Sequence, residues 1–435
     1  MMNIFIISGG RVIDPATGVD EELDILIQDG QIRKVAKRVV AKGARIIDAK
    51  DKVVTPGFVD IHTHLREPGR EDEETVLTGT RAASVGGFTS ILCMPNTDPV
   101  IDDESVVRFI VRKQEEAGFS RVYPVGAITK GLRGEELAEI GHMVKAGAVA
   151  ISDDGNSVMN AEIMRRALEY AKMFRIPVVA HCEDTHLTAG GVMNEGYYST
   201  LYGMRGVPAA AEEAMVARDI ILTEFTGSHL HVAHVSTKGS IELIRRAKER
   251  GVRVTADTAP HYFTLNDSML KDYDTNLKVN PPLRSAEDVQ EVKQGLRDGT
   301  IDSIATDHAP HTQTEKEMEF DVAPSGIVGL ETALSLVLRE LVEPGVLSLA
   351  DALGKLSFRP AGVVNLPFGT LRTGSPADVT VFDPQREWVC DPAKFFSKSK
   401  NSPFKGWKFR GTIEYLFVNG SLTVEDGRLV SSTVA

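Results

Sequence analysis

The feature that most limits what this chain can become is an alternation of short apolar runs with helix-period stretches, repeated eight times between residues 57 and 306. The apolar runs fall at 57–62, 88–93, 121–127, 146–152, 176–181, 228–234, 252–257 and 302–306. Stretches with apolar residues at helical spacing come between them, among them ESVVRFIVRKQEEAG, AEIMRRALEYAKMF, AAEEAMVARDIILTEF, SIELIRRAKERG and SAEDVQEVKQGL. The last opens with Ser285 and Asp288 in the capping pattern. Consecutive strands joined through helices must run parallel, with helices covering the sheet. Eight such units over about 300 residues predict an α/β fold of the (β/α)8, TIM-like barrel type, whose active site forms at the carboxyl ends of the strands. An open, doubly wound sheet is the competing arrangement.

The two ends of the chain have a different texture. Residues 3 to 55 carry short β-like runs, IFIISG, DILIQDG and KVVTP, with one weak helical stretch between them. After residue 366 the texture returns in GSPADVTVFD and TIEYLFVNGSLTVEDGRLV, where Asn419-Gly420 and Asp426-Gly427 signal tight turns. Segments 1–55 and 366–435 are therefore expected to share one β-rich domain, and 56–365 to form the barrel.

Composition narrows the function classes. With 42% hydrophobic and 25% charged residues the chain is an ordinary globular one. Its 49 basic against 61 acidic residues give a net charge of −12, so the basic footprint of a nucleic-acid binder is missing. No apolar run approaches the roughly 18 residues that cross a bilayer, so no membrane partner is expected. The opening residues MMNIFIISGGRVID lack a charged leader and a small-residue cleavage site, which makes a cytoplasmic location the expectation. Cys93, Cys182 and Cys390 are scattered without CxxC spacing and read as buried small hydrophobes.

Metal-ligand residue types gather at the ends of the predicted strands. His62 and His64 lie two residues apart, on one side of a strand and about 6.6 Å from each other along it. Asp153-Asp154 follow GAVAIS, His181 follows IPVVA, His234 follows HLHVA, and Asp307-His308 follow SIAT. Imidazole with carboxylate suits zinc and related divalent ions, and the lack of placed thiolates favours a catalytic over a closed structural site. Six ligands exceed what one tetrahedral ion uses and point to a two-metal centre. His142, His186, His229 and His231 are set aside as structural. Arg66, Asn96, Asn280 and His311 are the remaining polar groups at these ends; an arginine there can clamp a carboxylate in a bidentate fork, whereas Asn beside proline is common in turns.

The segments GFVDIHTHLREPG, CMPNTDP, GAVAISDDG, VVAHCED, HVAHVST, NPPLR and ATDHAPH, in this order along nearly the whole chain, resemble those of the amidohydrolase superfamily, and within it the bacterial type I dihydroorotases. The resemblance implies that His62 and His64 hold one zinc, His181 and His234 a second, that Asp154 bridges them, and that Asp307 completes the first shell. Relatives such as hydantoinases and allantoinases bridge their metals with a carboxylated lysine, and residues 148–155 contain no lysine. It further implies that Arg66, Asn96 and His311 hold the substrate carboxylate and Asn280 the pyrimidine ring, with His64 bordering the substrate. Ser325-Gly326, which would offer backbone contacts, stand where relatives often have Phe-Gly. The β-rich ends match the small β-sandwich domain that the superfamily builds from both termini.

The implied activity is the reversible, zinc-dependent cyclisation of N-carbamoyl-L-aspartate to L-dihydroorotate in pyrimidine (UMP) biosynthesis. Asp307 would act as base and then acid, taking a proton from the attacking hydroxide and passing it to the departing ring nitrogen. A homo-oligomer is expected, and association with aspartate transcarbamoylase is a further expected partnership. The competing readings are another cyclic amidase, a hydantoinase or allantoinase, and a catalytically silent scaffold for aspartate transcarbamoylase. Residues 309–324 are long and polar enough to form a lid carrying His311.

Overall fold

A computed structural model describes residues 4–430. Eight parallel strands lie side by side in chain order: Phe58–Thr63, Phe88–Cys93, Arg121–Gly126, Ala150–Ser152, Val178–Ala180, Leu230–Val232, Val254–Thr258 and Ser303–Ile304. The first and last meet at their carboxyl ends through a parallel bridge between Thr63 and His308, and the His64 N–H donates to the His308 carbonyl at 2.9 Å. The sheet is thereby nearly closed into the expected barrel.

Helices Glu104–Ala117, Ala161–Phe174, Ala210–Thr226, Lys238–Glu249 and Ala286–Asp298 fall where the helical spacing puts them. Their starts are fixed locally: Asp103, Asn160 and Thr237 accept backbone N–H groups as caps, and Ser285 with Asp288 forms the full capping box. Four strands, those expected over 146–152, 176–181, 228–234 and 302–306, are shorter by three residues or more, the fourth strand for a visible reason. Residues 140–146 are helical, and Gly147, at φ 125°, returns its N–H to the carbonyls of Met143 and Val144. The strand expected over 146–152 therefore begins only at Ala150.

Two apolar layers result. Val59, Ile61, Leu92, Val125, Ala150, Val179, Ala233 and Ala305 fill the barrel interior with Ala361, Val363 and Val364. Phe58, Phe88, Ile91, Val122, Ile151, Val178 and Leu230 belong to the larger core that also takes the helices' buried faces. The strands are thus buried on both sides, which is why they read as continuous apolar runs.

The chain ends form a second, largely antiparallel sheet of nine strands. Ile4–Asp14, Val19–Gln28, Gln31–Ala36, Arg45–Asp48 and Val53–Pro56 come from the amino end, and Val379–Val389, Lys408–Val418, Ser421–Glu425 and Arg428–Leu429 from the carboxyl end. Val53–Pro56 pairs with Val379–Val389, the seam that unites them. Phe5, Ile7, Ile25, Ile27, Val54, Val379, Val381 and Phe417 share its core. The weak helical stretch expected near the amino end is not there: none of residues 4–56 is helical. Asn419-Gly420 and Asp426-Gly427 take positive φ at both positions, the signature of hairpin turns.

Asp60 lies fully buried at the barrel seam. Its Oδ1 accepts the N–H groups of His62 (3.1 Å) and Thr306 (3.0 Å), and its Oδ2 accepts the Thr306 hydroxyl at 2.5 Å. Burial pushes its carboxyl up to about 7, against these donors. Asp60→Ala leaves three buried donors without a partner, and a loss of about 3 kcal/mol in urea unfolding is expected; a change below about 0.5 kcal/mol would remove Asp60 from the seam's energetics.

Candidate active site

The first strand delivers two histidines by breaking its own rule. Ile61 belongs to the barrel-interior cluster, so strict alternation would turn His62 outward towards the helices. The pairing register shifts between Asp60 and Thr63, and His62 instead reaches the mouth of the barrel. A bulge-like irregularity of this kind re-aims a side chain. The His62 and His64 rings end with centroids 5.3 Å apart.

The other ligand-type residues follow their strands as the sequence indicates, and the structure separates the two neighbouring aspartates. Asp153 turns away: its Oδ1 accepts the N–H groups of Ile128 (2.8 Å) and Thr129 (3.0 Å), its Oδ2 the Thr129 hydroxyl. Asp154 faces the histidines. Its carboxylate lies 3.3 Å from His62 Nε2, 3.5 Å from His64 Nε2, 3.5 Å from His234 Nε2 and 3.7 Å from His181 Nδ1. Asp307 Oδ1 is 3.3 Å from His64 Nε2 and 3.6 Å from His62 Nε2. Arg66, His234 and Asp307 adopt φ of 61°, 38° and 49°, a left-handed conformation that non-glycine residues rarely take and that marks strain tolerated at a functional site.

Most of these separations are long for hydrogen bonds, yet they match the edges of a coordination shell. Ligand atoms about 2.0–2.1 Å from one zinc ion sit about 3.4 Å from each other in a tetrahedron. The buried atoms His62 Nε2 and Asp154 Oδ1 have no hydrogen-bond partner, a costly arrangement unless a cation takes that place. Two sets, His62–His64–Asp307 and His62–Asp154–His234, each bring their ligand atoms within 4.8 Å of one another. The donor chemistry therefore fits divalent ions.

Electrostatics point the same way. Burial alone would raise both carboxyls, but the histidines around Asp154 hold it well below the usual carboxylate range, and His64, His62 and His234 lower Asp307. Burial lowers His62, and Asp154, Asp307 and Asp257 overcome it, lifting the imidazole to about 10. Anionic groups are thus kept ionised where a cation would sit.

A cavity of about 240 Å³ opens beside this cluster, lined by His64, Arg66, Asn96, Asp154, His181, His234, Asn280, Asp307, His311, Ser325 and Gly326 together with Gly155 and Ala309. Every residue to which the resemblance gives a metal or substrate role is here except His62, which is buried against Asp154. Asn96 Oδ1 is 2.9 Å from His64 Nδ1. Asn280 Nδ2 donates to Glu183 Oε2 at 2.9 Å, and the same oxygen is 2.8 Å from His181 Nε2. His311 Nε2 is 2.9 Å from the Ser325 carbonyl. The Gly326 N–H is donated to the Lys278 carbonyl, so it is engaged within the protein.

Residues not recognised from the sequence hold these in place. Glu183 grips His181 in the manner of a carboxylate behind a metal-bound imidazole. Asp257 accepts His231 Nε2 at 2.8 Å and the His234 N–H at 2.7 Å, giving His231 its structural role. Glu74 binds His308, next to Asp307, at 3.2 Å. Glu73 touches both Arg66 and His311. In REDEETV the two glutamates resemble an exposed acidic run, and only the fold reveals that both are buried.

A family model described as dihydro-orotase-like matches residues 51–240. A dihydroorotase of Pelotomaculum thermopropionicum is 56% identical over 421 residues, spanning 97% of this chain and 98% of that protein. One of Acetivibrio thermocellus is 54% identical, over 97% and 99%. Among solved structures, the L-hydantoinase (dihydropyrimidinase) from Arthrobacter aurescens has a TM-score of 0.87 at 27% identity, covering 99% of this chain and 98% of that one. The dihydropyrimidinase from Brevibacillus agri NCHU1002, 23% identical with a TM-score of 0.85 over 98% and 96%, has the same fold. With more than half of its residues identical to such relatives over nearly its full length, this chain, a barrel with histidines and aspartates drawn together at its mouth, belongs to the dihydroorotase family.

Proposed function

We propose that this chain interconverts N-carbamoyl-L-aspartate and L-dihydroorotate, using two zinc ions held by His62, His64, Asp154, His181, His234 and Asp307. The reading is carried by the convergence of those six side chains beside a cavity whose lining also includes the cationic Arg66 and His311. Metal of this kind lowers the pKa of water towards 7 and polarises a carbonyl, the two forms of help that a cyclic amide needs. A silent scaffold would not be expected to retain the whole ligand set.

The protein's own groups do the rest. Arg66, Asn96 and His311 hold the carboxylate that the ring carries, Asn96 bracing His64 through its Oδ1 as well. Asn280, whose Nδ2 is committed to Glu183, turns its Oδ1 to a ring N–H. The Asp307 carboxylate accepts the proton lost from water as it adds to the ring carbonyl, and delivers it to the ring nitrogen as the C–N bond breaks. In the opposite direction the ureido nitrogen attacks the side-chain carboxyl group, and water leaves with that proton.

The further readings have support of the same kind. All three cysteines are free and buried, in keeping with a reducing, cytoplasmic setting, and among the described residues no helix is long and apolar enough to cross a membrane. Ile221 and Phe225 on Ala210–Thr226 and Met173 on the neighbouring Ala161–Phe174 are exposed, which favours a homo-oligomer. Residues 1–55 with 366–435, and 56–365, are the two domains we assign.

Asp307→Asn is expected to keep most of the metal and to lose about 10³-fold or more in kcat; near-normal turnover would take the proton role away from Asp307. Arg66→Met should raise KM for carbamoyl aspartate about 100-fold, and an unchanged KM would put the carboxylate elsewhere. Metal analysis separates the adjacent aspartates. Asp154→Asn should retain less than half of the wild-type zinc, while Asp153→Asn, which disturbs only the 128–129 turn, should retain it; equal losses would refute the assignment of Asp154 as bridge.

A further inference from the structure

We propose that Glu73 is the positioning residue that joins Arg66 and His311 into one fork for the substrate carboxylate. The inference rests on the reading above that these two residues bind that group, and adds what holds them. Glu73 is 2% exposed, at the turn between the first barrel strand and helix Val76–Val85. Its two oxygens are used separately: Oε1 lies 2.8 Å from His311 Nδ1 and Oε2 lies 3.1 Å from Arg66 Nε. The backbone is fixed as well, since the Glu73 carbonyl accepts the Ser399 hydroxyl at 2.7 Å.

Chemistry follows from this division of labour. Both ring nitrogens of His311 face acceptors, Nδ1 the Glu73 carboxylate and Nε2 the Ser325 carbonyl at 2.9 Å, so the carboxylate steadies a ring whose Nε2–H, beside Arg66 Nη2 at 3.3 Å, is a donor for an incoming anion. Arg66 has its Nε bound to Glu73 and to the Pro310 carbonyl at 3.2 Å, so the guanidinium plane is set and its terminal nitrogens remain for an incoming anion. Residues 66 and 311 lie far apart in sequence, on the loops after the first and last strands, and Glu73 is the carboxylate that touches both. Its Oε1 also faces Arg70 Nη2 at 3.3 Å, and that guanidinium reaches Glu315 at 2.6 Å on the short helix Gln313–Lys316. The carboxylate thus ties the fork to the helix Gln313–Lys316 that follows His311.

A group that acts through the anion-binding side chains should change substrate binding far more than turnover. E73Q keeps the shape but must set an amide NH2 against one of two donors. KM for N-carbamoyl-L-aspartate should rise about 30-fold with kcat within about threefold, the signature of lost uniform binding. The inhibition constant of N-carbamoyl-β-alanine, which lacks the carboxylate in question, should stay within about twofold of wild type. E73D, keeping the charge at shorter reach, should give a smaller KM increase than E73Q, and provides the measurement if E73Q does not fold. In R66M/E73Q the KM should be close to that of R66M alone, because residues acting as one unit are not additive. A kcat loss as large as the KM change, an equal effect on the carboxylate-free inhibitor, or an E73D defect exceeding that of E73Q would overturn the proposal. An R66M enzyme with normal KM would instead overturn the carboxylate assignment on which it is built.

Discussion

The whole barrel mouth is organised by one electrostatic demand, that carboxylates and imidazoles be brought within 3.3–3.7 Å of one another while buried. Burying ionised groups without partners is expensive, and each of the four histidines has a holder behind it. Asp60 fixes the backbone of His62, Asp257 that of His234, Glu183 grips the ring of His181, and Asn96 the ring of His64. Glu183 and Asn96 restrain the rings they touch before any cation is present, and the orphaned His62 Nε2 and Asp154 Oδ1 mark where the remaining charge compensation has to come from. Where a site is this rigid, what distinguishes one cyclic amide from another must be decided on the other wall of the cavity.

The architecture was legible because barrels impose periodicity. Strands buried on both faces become continuous apolar runs, and the intervening helices carry caps such as Asn160 and Ser285 that fix their starts to within a residue or two. The six ligand types could be found because each closes a strand, the part of a barrel where side chains converge. What could not be read was anything depending on departures from regularity. Alternation would have sent His62 outward, and only the register shift after Asp60 turns it in. Asp153 and Asp154 are chemically identical in sequence, and the backbone N–H groups of Ile128 and Thr129 decide which one is diverted. Glu73 and Glu74 sit in a run whose composition says surface, and long-range contacts with residues 311, 308 and 397–399 bury them.

Three of the twelve non-glycine residues with positive φ among the described residues lie in the same place. Arg66, His234 and Asp307 all take positive φ just past a strand end. A residue held there resists relaxation only if its surroundings over-determine it. For Arg66 those surroundings are the Glu73 carboxylate and the Pro310 carbonyl; for Asp307, the seam hydrogen bonds on either side, from Thr306 to the Asp60 carboxylate and from His64 to the His308 carbonyl. Barrel closure and active-site geometry are therefore the same set of contacts.

That identity explains why the loop 64–74 carries so many roles at once. His64 and Arg66 both line the cavity, and in the assignment we propose the first holds metal and the second the substrate carboxylate. Glu67 accepts the Val76 N–H at 2.8 Å and pairs with Lys113 at 2.8 Å, which anchors the following helix. Glu73 and Glu74 return to the loops after the last strand, one through His311 and the other through His308. A shift of this loop would move a metal ligand, the anion receptor and the barrel seam together. On the proposed assignment, substrate that draws Arg66 and His311 towards its carboxylate pulls on the backbone that carries His64, so substrate binding and ligand geometry are coupled through a single intervening residue, Leu65.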